Sequence, residues 1–330
     1  MTRLIGLFLA LLVAATVGAA AAKSGPRDRL TVQEMFGQVG QGPVSNHYFM
    51  PMGDVEPAKH TLSAELVIPE TERWSFGKFP AVTVEIFTSN GRLIPAAKNI
   101  LNNSSGPTLL NIIFSPGRVW SEPDDNGFSR ASFPFVLSGL STNKAHNGIA
   151  SFLYDETTVS SLVFQIVQET APSRKFDAWG AIPISLHRRE IENRDRIVAE
   201  YAHEIEMRLP MRPLSELASD YGKAGQDALD AWPESENESV SGLVLDGVIY
   251  VGDCHTRFGP YPYCEEMRHG VQSMSKSLGG LLSMLRLAQK FGDQVFGLKI
   301  ADYLTVTAEH DGWADVTFAD ALNMVTGIGD

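Results

Sequence analysis

The sequence predicts an α+β fold in which an N-terminal all-β sandwich or barrel is followed by a helical connector and a mixed C-terminal part. Three observations lead to this prediction. Short β-branched and aromatic runs alternate with turn residues between Leu62 and Leu186, two amphipathic stretches follow within residues 190–240, and a long apolar-periodic stretch occupies Gln272–Phe291. With 330 residues, of which 44% are apolar and 20% charged, the chain has enough material for about two domains.

The β-rich domain is predicted over residues 23–189, because runs typical of strands recur there at short intervals. These runs are Leu62–Ile68, Ala81–Phe87, Leu109–Phe114, Ala131–Leu137, Gly148–Tyr154, Ser160–Gln168 and Ala181–Leu186. Asn90-Gly91 follows the second run and supplies the positive φ values that a tight hairpin needs. We therefore expect a β-hairpin at that point.

Residues 190–240 are predicted to form a helical connector. The segments IENRDRIVAEYAHEIEMRL and LSELASDYGKAGQDALDAW carry apolar residues three and four positions apart with charges between them, which is typical of amphipathic helices. The acidic stretch PESENESVS after them is typical of a solvated loop.

The last part, residues 241–330, begins with a predicted hairpin that turns at Asp246-Gly247. A long helix over Gln272–Phe291 and a short one over Phe318–Val325 follow. Gly279-Gly280 lies inside the long helix, where each glycine costs about 1 kcal/mol relative to alanine. This cost suggests close packing against a neighbouring element.

The N-terminus has the pattern of a secretory signal peptide over residues 1–22. Arg3 precedes the 14-residue apolar run Leu4–Val17, and Gly18 and the alanines Ala19–Ala22 follow it. The run is shorter than the ~20 residues that span a bilayer, so cleavage is favoured over anchoring. No later stretch is long and apolar enough to span, and the mature chain is expected to be exported, periplasmic or secreted.

The net charge of the chain argues against one class of binding partner. The 27 Lys+Arg and 39 Asp+Glu give a formal charge of −12, which disfavours nucleic acid as a partner.

The two cysteines, Cys254 and Cys264, bracket a loop that contains Gly and Pro, and in an oxidising compartment we expect a disulfide rather than two buried thiols. The eight histidines are scattered without metal-ligand spacing, so no metal is expected.

The candidate catalytic motif is Ser273-Met274-Ser275-Lys276, a Ser-x-x-Lys pattern at the start of the long predicted helix. Residues three apart share a helix face, so the hydroxyl and the amine can meet. A lysine accepts the serine proton only when burial or positive potential lowers its pKa, and a helix N-terminus supplies positive potential and free N–H groups for an oxyanion. Ser75–Lys78 and Ser141–Lys144 match the same letters among turn residues, so context distinguishes the third match.

That context resembles the first part of a known catalytic domain. The segments RHGVQSMSKSLGGLL (268–282), LKIADYL (298–304), Trp313 and TFADALNMVTGIG (317–329) resemble, in order, elements of the serine β-lactamase-like family. The resemblance is closest to class C β-lactamases, penicillin-binding-protein-like serine hydrolases and their esterase, D-aminopeptidase and oligoamide-hydrolase relatives. It covers residues 241–330 and implies a partial α/β domain with the nucleophile at a helix N-terminus.

By this resemblance Ser273 is the acylated nucleophile and Lys276 its proton acceptor, with no cofactor. The family's Tyr-x-Asn motif and its late Lys-Thr-Gly or His-x-Gly strand have no counterpart after Ser273. His146-Asn147-Gly148 and Lys23-Ser24-Gly25 match the late motif by letter only, because both precede the serine. The chain is therefore expected to be the front part of a longer hydrolase, with a natural short form as the alternative, and no turnover is expected from these 330 residues.

The expected function is that of an exported serine hydrolase, which forms an acyl-enzyme on a small-molecule or peptide-like amide or ester: a lactam, an ester, a peptide or an oligoamide. The alternative is a non-catalytic protein that binds cell-envelope material through the β-rich domain, with a degenerate hydrolase part as scaffold. Arg268 and His269, just before Ser273, are candidates either for binding a substrate carboxylate or for a structural role.

Overall fold

The computed structural model describes residues 30–37, 44, 46–52, 54–71, 78–102, 110–139, 144–170, 178–233, 238–309 and 311–328. The chain divides into two compact units, Met1–Gly270 and Val271–Asp330. The predicted connector, residues 190–240, and residues 241–270 belong to the first unit. The predicted signal peptide lies outside the described residues.

The protein is of the α+β class, and its strands all lie in the first unit as far as the chain is described. The strands are β1 (Glu56–Pro57), β2 (Ser63–Ile68), β3 (Val82–Ser89), β4 (Arg92–Pro95), β5 (Leu110–Phe114), β6 (Gly117–Ser121), β7 (Ser129–Gly139), β8 (Ala145–Tyr154), β9 (Leu162–Glu169), β10 (Trp179–Ile182), β11 (Ser185–Arg188), β12 (Met211–Pro213), β13 (Gly242–Leu245), β14 (Val248–Val251), β15 (His255–Thr256) and β16 (Gly259–Pro260).

The α-helices are short, apart from one in each unit. They are α1 (Val32–Phe36), α2 (Arg194–Met207), α3 (Leu217–Tyr221), α4 (Lys223–Asp230), α5 (Leu282–Phe291), α6 (Thr305–Ala308) and α7 (Phe318–Leu322). A π-helix, Lys276–Leu281, leads directly into α5.

Strands β1 to β11 form one antiparallel sheet with the path β10-β9-β8-β7-β6-β4-β3-β2-β11, in which β5 pairs with β7 and β1 with β6. The two edge strands β10 and β11 are joined by Pro183 and Ile184 alone. Two residues hold Ile182 and Ser185 within about 11 Å of each other, so the opposite edges of the sheet must approach. The sheet is therefore curled into a half-barrel.

The long strand β7 carries two partners in succession on one edge, because β5 and β6 are separated only by Ser115 and Pro116. Pro134 of β7 lies opposite this break, and its carbonyl accepts a hydrogen bond from the Ser115 N–H at 3.1 Å. Proline has no N–H to donate to a ladder. Its position opposite the interruption therefore reduces the number of unpaired groups in the centre of the sheet.

Apolar side chains cover both faces of the sheet. The inner face holds the larger core, which includes a group of contacting phenylalanines: Phe79, Phe114, Phe133, Phe135, Phe152 and Phe164. The outer face of β8 and β9 packs against Met35, Phe49, Tyr261 and Tyr263. Because β8 and β9 are covered on both sides, all their residues are buried.

One glycine of β8 has no room for a side chain. Gly148 follows a register shift between β8 and β9, and a Cβ built on it would lie 2.4 Å from Cζ of Phe135. We expect Gly148→Ala to lower the free energy of unfolding by about 1–3 kcal/mol, because the phenylalanine ring must move inside a packed core. Urea denaturation measures the loss. Gly279→Ala is the matched control, since a Cβ there meets nothing within 4 Å, and a Gly148→Ala midpoint equal to the wild type would contradict the packing.

Most of the predicted strands are confirmed to within a few residues, but Ala181–Leu186 is wrong as one strand. Its first half belongs to β10 and its second half to β11, at opposite edges of the sheet. Pro183 and Ile184 form the link between them. The Asn90-Gly91 hairpin between β3 and β4 is confirmed, with φ values of 48° and 73°.

The second predicted connector helix is divided in the structure, while the first is confirmed as α2. A glycine with φ of 58°, Gly222, separates α3 from α4. The Asp246-Gly247 hairpin is confirmed between β13 and β14, and β12 pairs with β14 in parallel to complete a small sheet.

In the second unit, the predicted helix over Gln272–Phe291 is present with a π-helical first part. The close packing suggested by Gly279-Gly280 is wrong for Gly279, because a Cβ placed there would meet nothing within 4 Å. A Cβ placed on Gly280 would lie 3.5 Å from a methyl group of Leu322. The second predicted helix shortens to α7. Its N-cap Thr317 and Asp320 form a capping box, with the Asp320 carboxylate accepting the Thr317 N–H at 2.9 Å.

Candidate active site

The structure places Ser273 and Lys276 together, as the Ser-x-x-Lys spacing predicts. Lys276 Nζ donates a hydrogen bond to Ser273 Oγ at 3.0 Å. Both side chains belong to the second unit and are exposed within the described residues. The arrangement brings a hydroxyl nucleophile and an amine into direct contact, which is the geometry that proton transfer between them requires.

Ser273 stands at the beginning of a continuous helical segment that runs from Met274 to Phe291. The three residues after Ser273 donate backbone hydrogen bonds to carbonyls three positions earlier, at 3.0 to 3.1 Å. Within the described residues the Ser273 N–H itself makes no hydrogen bond. This free donor at the positive end of the helix dipole is suited to bind a negatively charged oxygen.

The backbone at this point has two unusual features. Gln272, directly before the serine, has a φ of 44°, a left-handed conformation that costs a non-glycine residue about 1–2 kcal/mol. The segment that starts at Lys276 is a π-helix, a rare conformation that is frequently found at functional sites. The sequence pattern indicated neither feature, because both depend on the backbone path rather than on side-chain periodicity.

The two other Ser-x-x-Lys matches are only partly covered by the described residues. Ser75 and Ser141 lie outside the described residues. Lys78 of the first match forms an ion pair with Glu70. Of the letter matches to the late family motif, His146, Asn147 and Gly148 are buried in β8 of the first unit, and residues 23–25 lie outside the described part.

No family model, curated protein or solved structure matches this chain. The geometry of Ser273 and Lys276 and the motifs in the sequence are therefore the features from which a function can be inferred.

The cysteines for which a bridge is predicted, Cys254 and Cys264, form a disulfide with their Cα atoms 5.6 Å apart. The loop that they close lies on the outer face of the sheet in the first unit. Tyr263 Oη donates to the Ser132 carbonyl at 2.9 Å, and Tyr261 Oη donates to the Gly148 carbonyl at 3.3 Å. The bridge thus holds a loop whose two buried tyrosines attach it to β7 and β8.

The segment after this loop is fixed by polar contacts that the sequence did not indicate. The Asn147 side chain accepts the Arg268 N–H at 2.9 Å and donates to the Arg268 carbonyl at 2.7 Å. His269 Nε2 lies 2.9 Å from the Ser239 hydroxyl, and burial lowers the pKa of His269. These contacts give His269 and the Arg268 backbone structural roles, whereas the Arg268 guanidinium forms none of them.

A buried histidine, His146, lies near the start of β8, where sequence reasoning assigned no role. Its Cα partner on β9 is Glu169, whose carboxylate accepts two hydrogen bonds from Arg257 Nη1 and one from Nη2, at 2.8 to 3.0 Å. Burial, together with the positive charges of Lys144 and Arg257, lowers the pKa of His146 to about 4. The folded protein therefore keeps this imidazole neutral at a pH where the unfolded chain protonates it.

This difference predicts a pH-dependent stability. As the pH falls from about 6.5 to about 4, the unfolded state binds a proton that the native His146 does not, so the free energy of unfolding decreases by about 2–3 kcal/mol. Urea denaturation across this range measures the slope. His146→Gln should remove this part of it, whereas His203→Gln, at an exposed position on α2, should leave it unchanged. An unchanged slope in His146→Gln would contradict the assignment.

The described residues contain no group of three or more His, Cys, Asp and Glu side chains arranged to hold a metal ion. Among the same residues, no helix combines the length and apolarity needed to cross a bilayer. Tyr303, the tyrosine that follows the long helix, is 59% exposed and packs its ring against Phe318.

Proposed function

We propose that the chain carries the nucleophile of an exported serine hydrolase of the β-lactamase-like class, which acts on an amide or ester through an acyl-enzyme. One observation carries the proposal: Ser273 Oγ and Lys276 Nζ are 3.0 Å apart at a helix start where the Ser273 N–H is free. The ordered motifs after the serine support the same family, with Ser273 as nucleophile and Lys276 as proton acceptor.

The reaction proceeds in two steps. Neutral Lys276 accepts the proton of Ser273 Oγ as the oxygen attacks the substrate carbonyl, and the resulting oxyanion lies at the Ser273 N–H. The carbon–nitrogen or carbon–oxygen bond then breaks, and the Lys276 ammonium returns the proton to the leaving amine or alcohol. Water attacks the Ser273 ester in the second step, which releases the acid and restores the hydroxyl.

This chemistry needs a drier environment than the described residues provide. An amine is a base only in its neutral form, which burial or nearby positive charge favours. Ser273 and Lys276 are exposed, and the apolar helix beside them exposes 49% of Leu278, 55% of Leu282 and 48% of Leu285. We propose that turnover requires a further element that covers this face, and that the 330-residue chain acylates slowly without turning over.

A fluorophosphonate probe tests the nucleophile, because it forms a covalent bond with an activated serine hydroxyl. Peptide mapping should place the adduct on Ser273, and Ser273→Ala should abolish labelling. Ser75→Ala and Ser141→Ala are matched controls, since each alters a serine of the same four-residue pattern and should leave labelling unchanged. Labelling spread evenly over many serines would overturn the proposal.

Export is part of the same proposal. Expression with the complete N-terminus should yield a mature protein that begins near Lys23, as measured by intact-mass spectrometry. A mature protein that retains Met1 would contradict export by a cleaved signal.

A second candidate function is non-catalytic binding of cell-envelope material by the β-rich part. It is favoured by a charged cavity of ≈ 310 Å³ in the first unit and by the exposure of Ser273 and Lys276. The probe distinguishes the two candidates, because a pure binding protein would show no labelling that depends on Ser273.

A further inference from the structure

The first unit contains a cavity of ≈ 310 Å³ whose lining is mostly charged. It lies between the loop after β4, the break between β5 and β6, the C-terminal end of α2 and the segment that follows the disulfide. Its ionisable residues are Lys98, Glu204, Arg208, Glu265, Glu266 and Arg268. Cavities that bind small molecules span about 300–1,000 Å³, so this one is suited to a small ligand.

Four of the six charges are already paired with one another. Glu204 accepts from Lys98 and, at 2.8 Å, from Arg208 Nη2, which also donates to Glu266 at 3.0 Å. Hydrogen bonds from Lys98 and Arg208 hold the pKa of Glu204 below its usual range. This network forms a wall with no net charge, and each of its charges has a partner within the protein.

The remaining two charges have opposite sign and are available. Within the described residues, neither the Glu265 carboxylate nor the Arg268 guanidinium makes a hydrogen bond or an ion pair. The Arg268 backbone is nevertheless fixed, because Asn147 binds both its N–H and its carbonyl. Phe114 and Met267 add apolar lining to the same cavity. The site therefore offers one anion, one cation and apolar surface, with no net charge.

We propose that this cavity binds a small zwitterion of the amino-acid or short-peptide class. The ligand carboxylate pairs with the Arg268 guanidinium, which can donate two parallel hydrogen bonds to it. The ligand ammonium donates to the Glu265 carboxylate, and a short aliphatic side chain contacts Phe114 and Met267. A ligand with a single charge would leave either the Glu265 carboxylate or the Arg268 guanidinium without its counter-charge, so the site selects for both charges together.

Isothermal titration of the full chain with L-alanyl-L-alanine tests the proposal without mutation. The free dipeptide should bind, whereas its N-acetyl form and its C-terminal amide should each bind about tenfold or more weakly, since each loses one charge-assisted pair. Equal affinity for the free and capped dipeptides would overturn the proposal. Sodium acetate binding as tightly as the dipeptide would also overturn it, because the site would then be a simple anion site.

Two variants assign the charges to residues. Glu265→Gln should weaken binding of the free dipeptide about tenfold and leave binding of the N-acetyl form unchanged. Arg268→Gln should also weaken binding of the free dipeptide about tenfold, and it should leave binding of the C-terminal amide unchanged. Glu206→Gln and Arg196→Gln are matched controls on the exposed face of α2. Loss of binding to every ligand form in both variants, with unchanged thermal unfolding, would contradict the assignment.

This site is independent of the proposed hydrolase function. Ser273 lies in the other unit, so Ser273→Ala should bind the dipeptide as the wild type does while losing probe labelling. If the wild-type chain binds the dipeptide but the probe does not label Ser273, the hydrolase proposal is rejected and the cavity proposal stands. If the probe labels Ser273 but the dipeptide does not bind, the cavity proposal is rejected and the hydrolase proposal stands.

Discussion

Replacement of Arg130 by methionine is expected to lower the free energy of unfolding by about 3–5 kcal/mol. Arg130 and Asp125 are fully buried, and Arg130 Nη2 donates to Asp125 Oδ1 at 2.6 Å while Nε donates to Oδ2 at 3.3 Å. Without the guanidinium, the carboxylate remains inside the first unit with no opposite charge. A buried charge without a partner is among the most destabilising defects that one substitution can create.

Further variants separate the effect of losing the Arg130–Asp125 ion pair from the effect of losing side-chain packing. Asp125→Leu combined with Arg130→Met removes both charges and should cost less than Arg130→Met alone, because an apolar pair leaves nothing to solvate. Arg196→Met breaks an exposed ion pair with Glu200 and should cost less than about 1 kcal/mol. Urea denaturation of five proteins gives the comparison: the wild type, Asp125→Leu, Arg130→Met, their double variant and Arg196→Met. A double variant as unstable as the sum of its single variants would contradict a coupled pair.

Features that depend on local sequence were predictable from it. The hairpin turns at Asn90-Gly91 and Asp246-Gly247 form because both residues of each pair adopt a positive φ, which their side chains permit. Ser273 and Lys276 meet because positions three apart lie on one face of a helix. In each case the interacting residues are neighbours in sequence, so the spacing of the residue types along the chain is enough to predict the contact.

Features that depend on the path of the chain were not predictable. The assignment of Ala181–Leu186 to two edge strands follows from the curl of the whole sheet, which no short run specifies. The attachment of Arg268 to Asn147 spans 121 positions, and the contact between His269 and Ser239 spans 30. Polar side chains such as Asn147 have no periodic pattern, so only the folded structure identifies which of them are buried and paired.

Replacement of Lys276 by arginine is expected to reduce the rate of Ser273 acylation by about 10²–10⁴-fold, as much as Lys276→Met does. Arginine retains the positive charge and can donate to Ser273 Oγ, but its guanidinium does not give up a proton in proteins. A lysine that only positions the serine would tolerate arginine. A lysine that accepts the serine proton would not, so the two roles predict opposite results for this single variant.

The measurement is the time course of fluorophosphonate labelling at one fixed pH. Lys276→Arg and Lys276→Met should both label slowly, because neither side chain accepts the proton from Ser273, while Lys290→Arg, on the same helical segment, should match the wild type. Labelling of Lys276→Arg at the wild-type rate would show that Lys276 is not the proton acceptor.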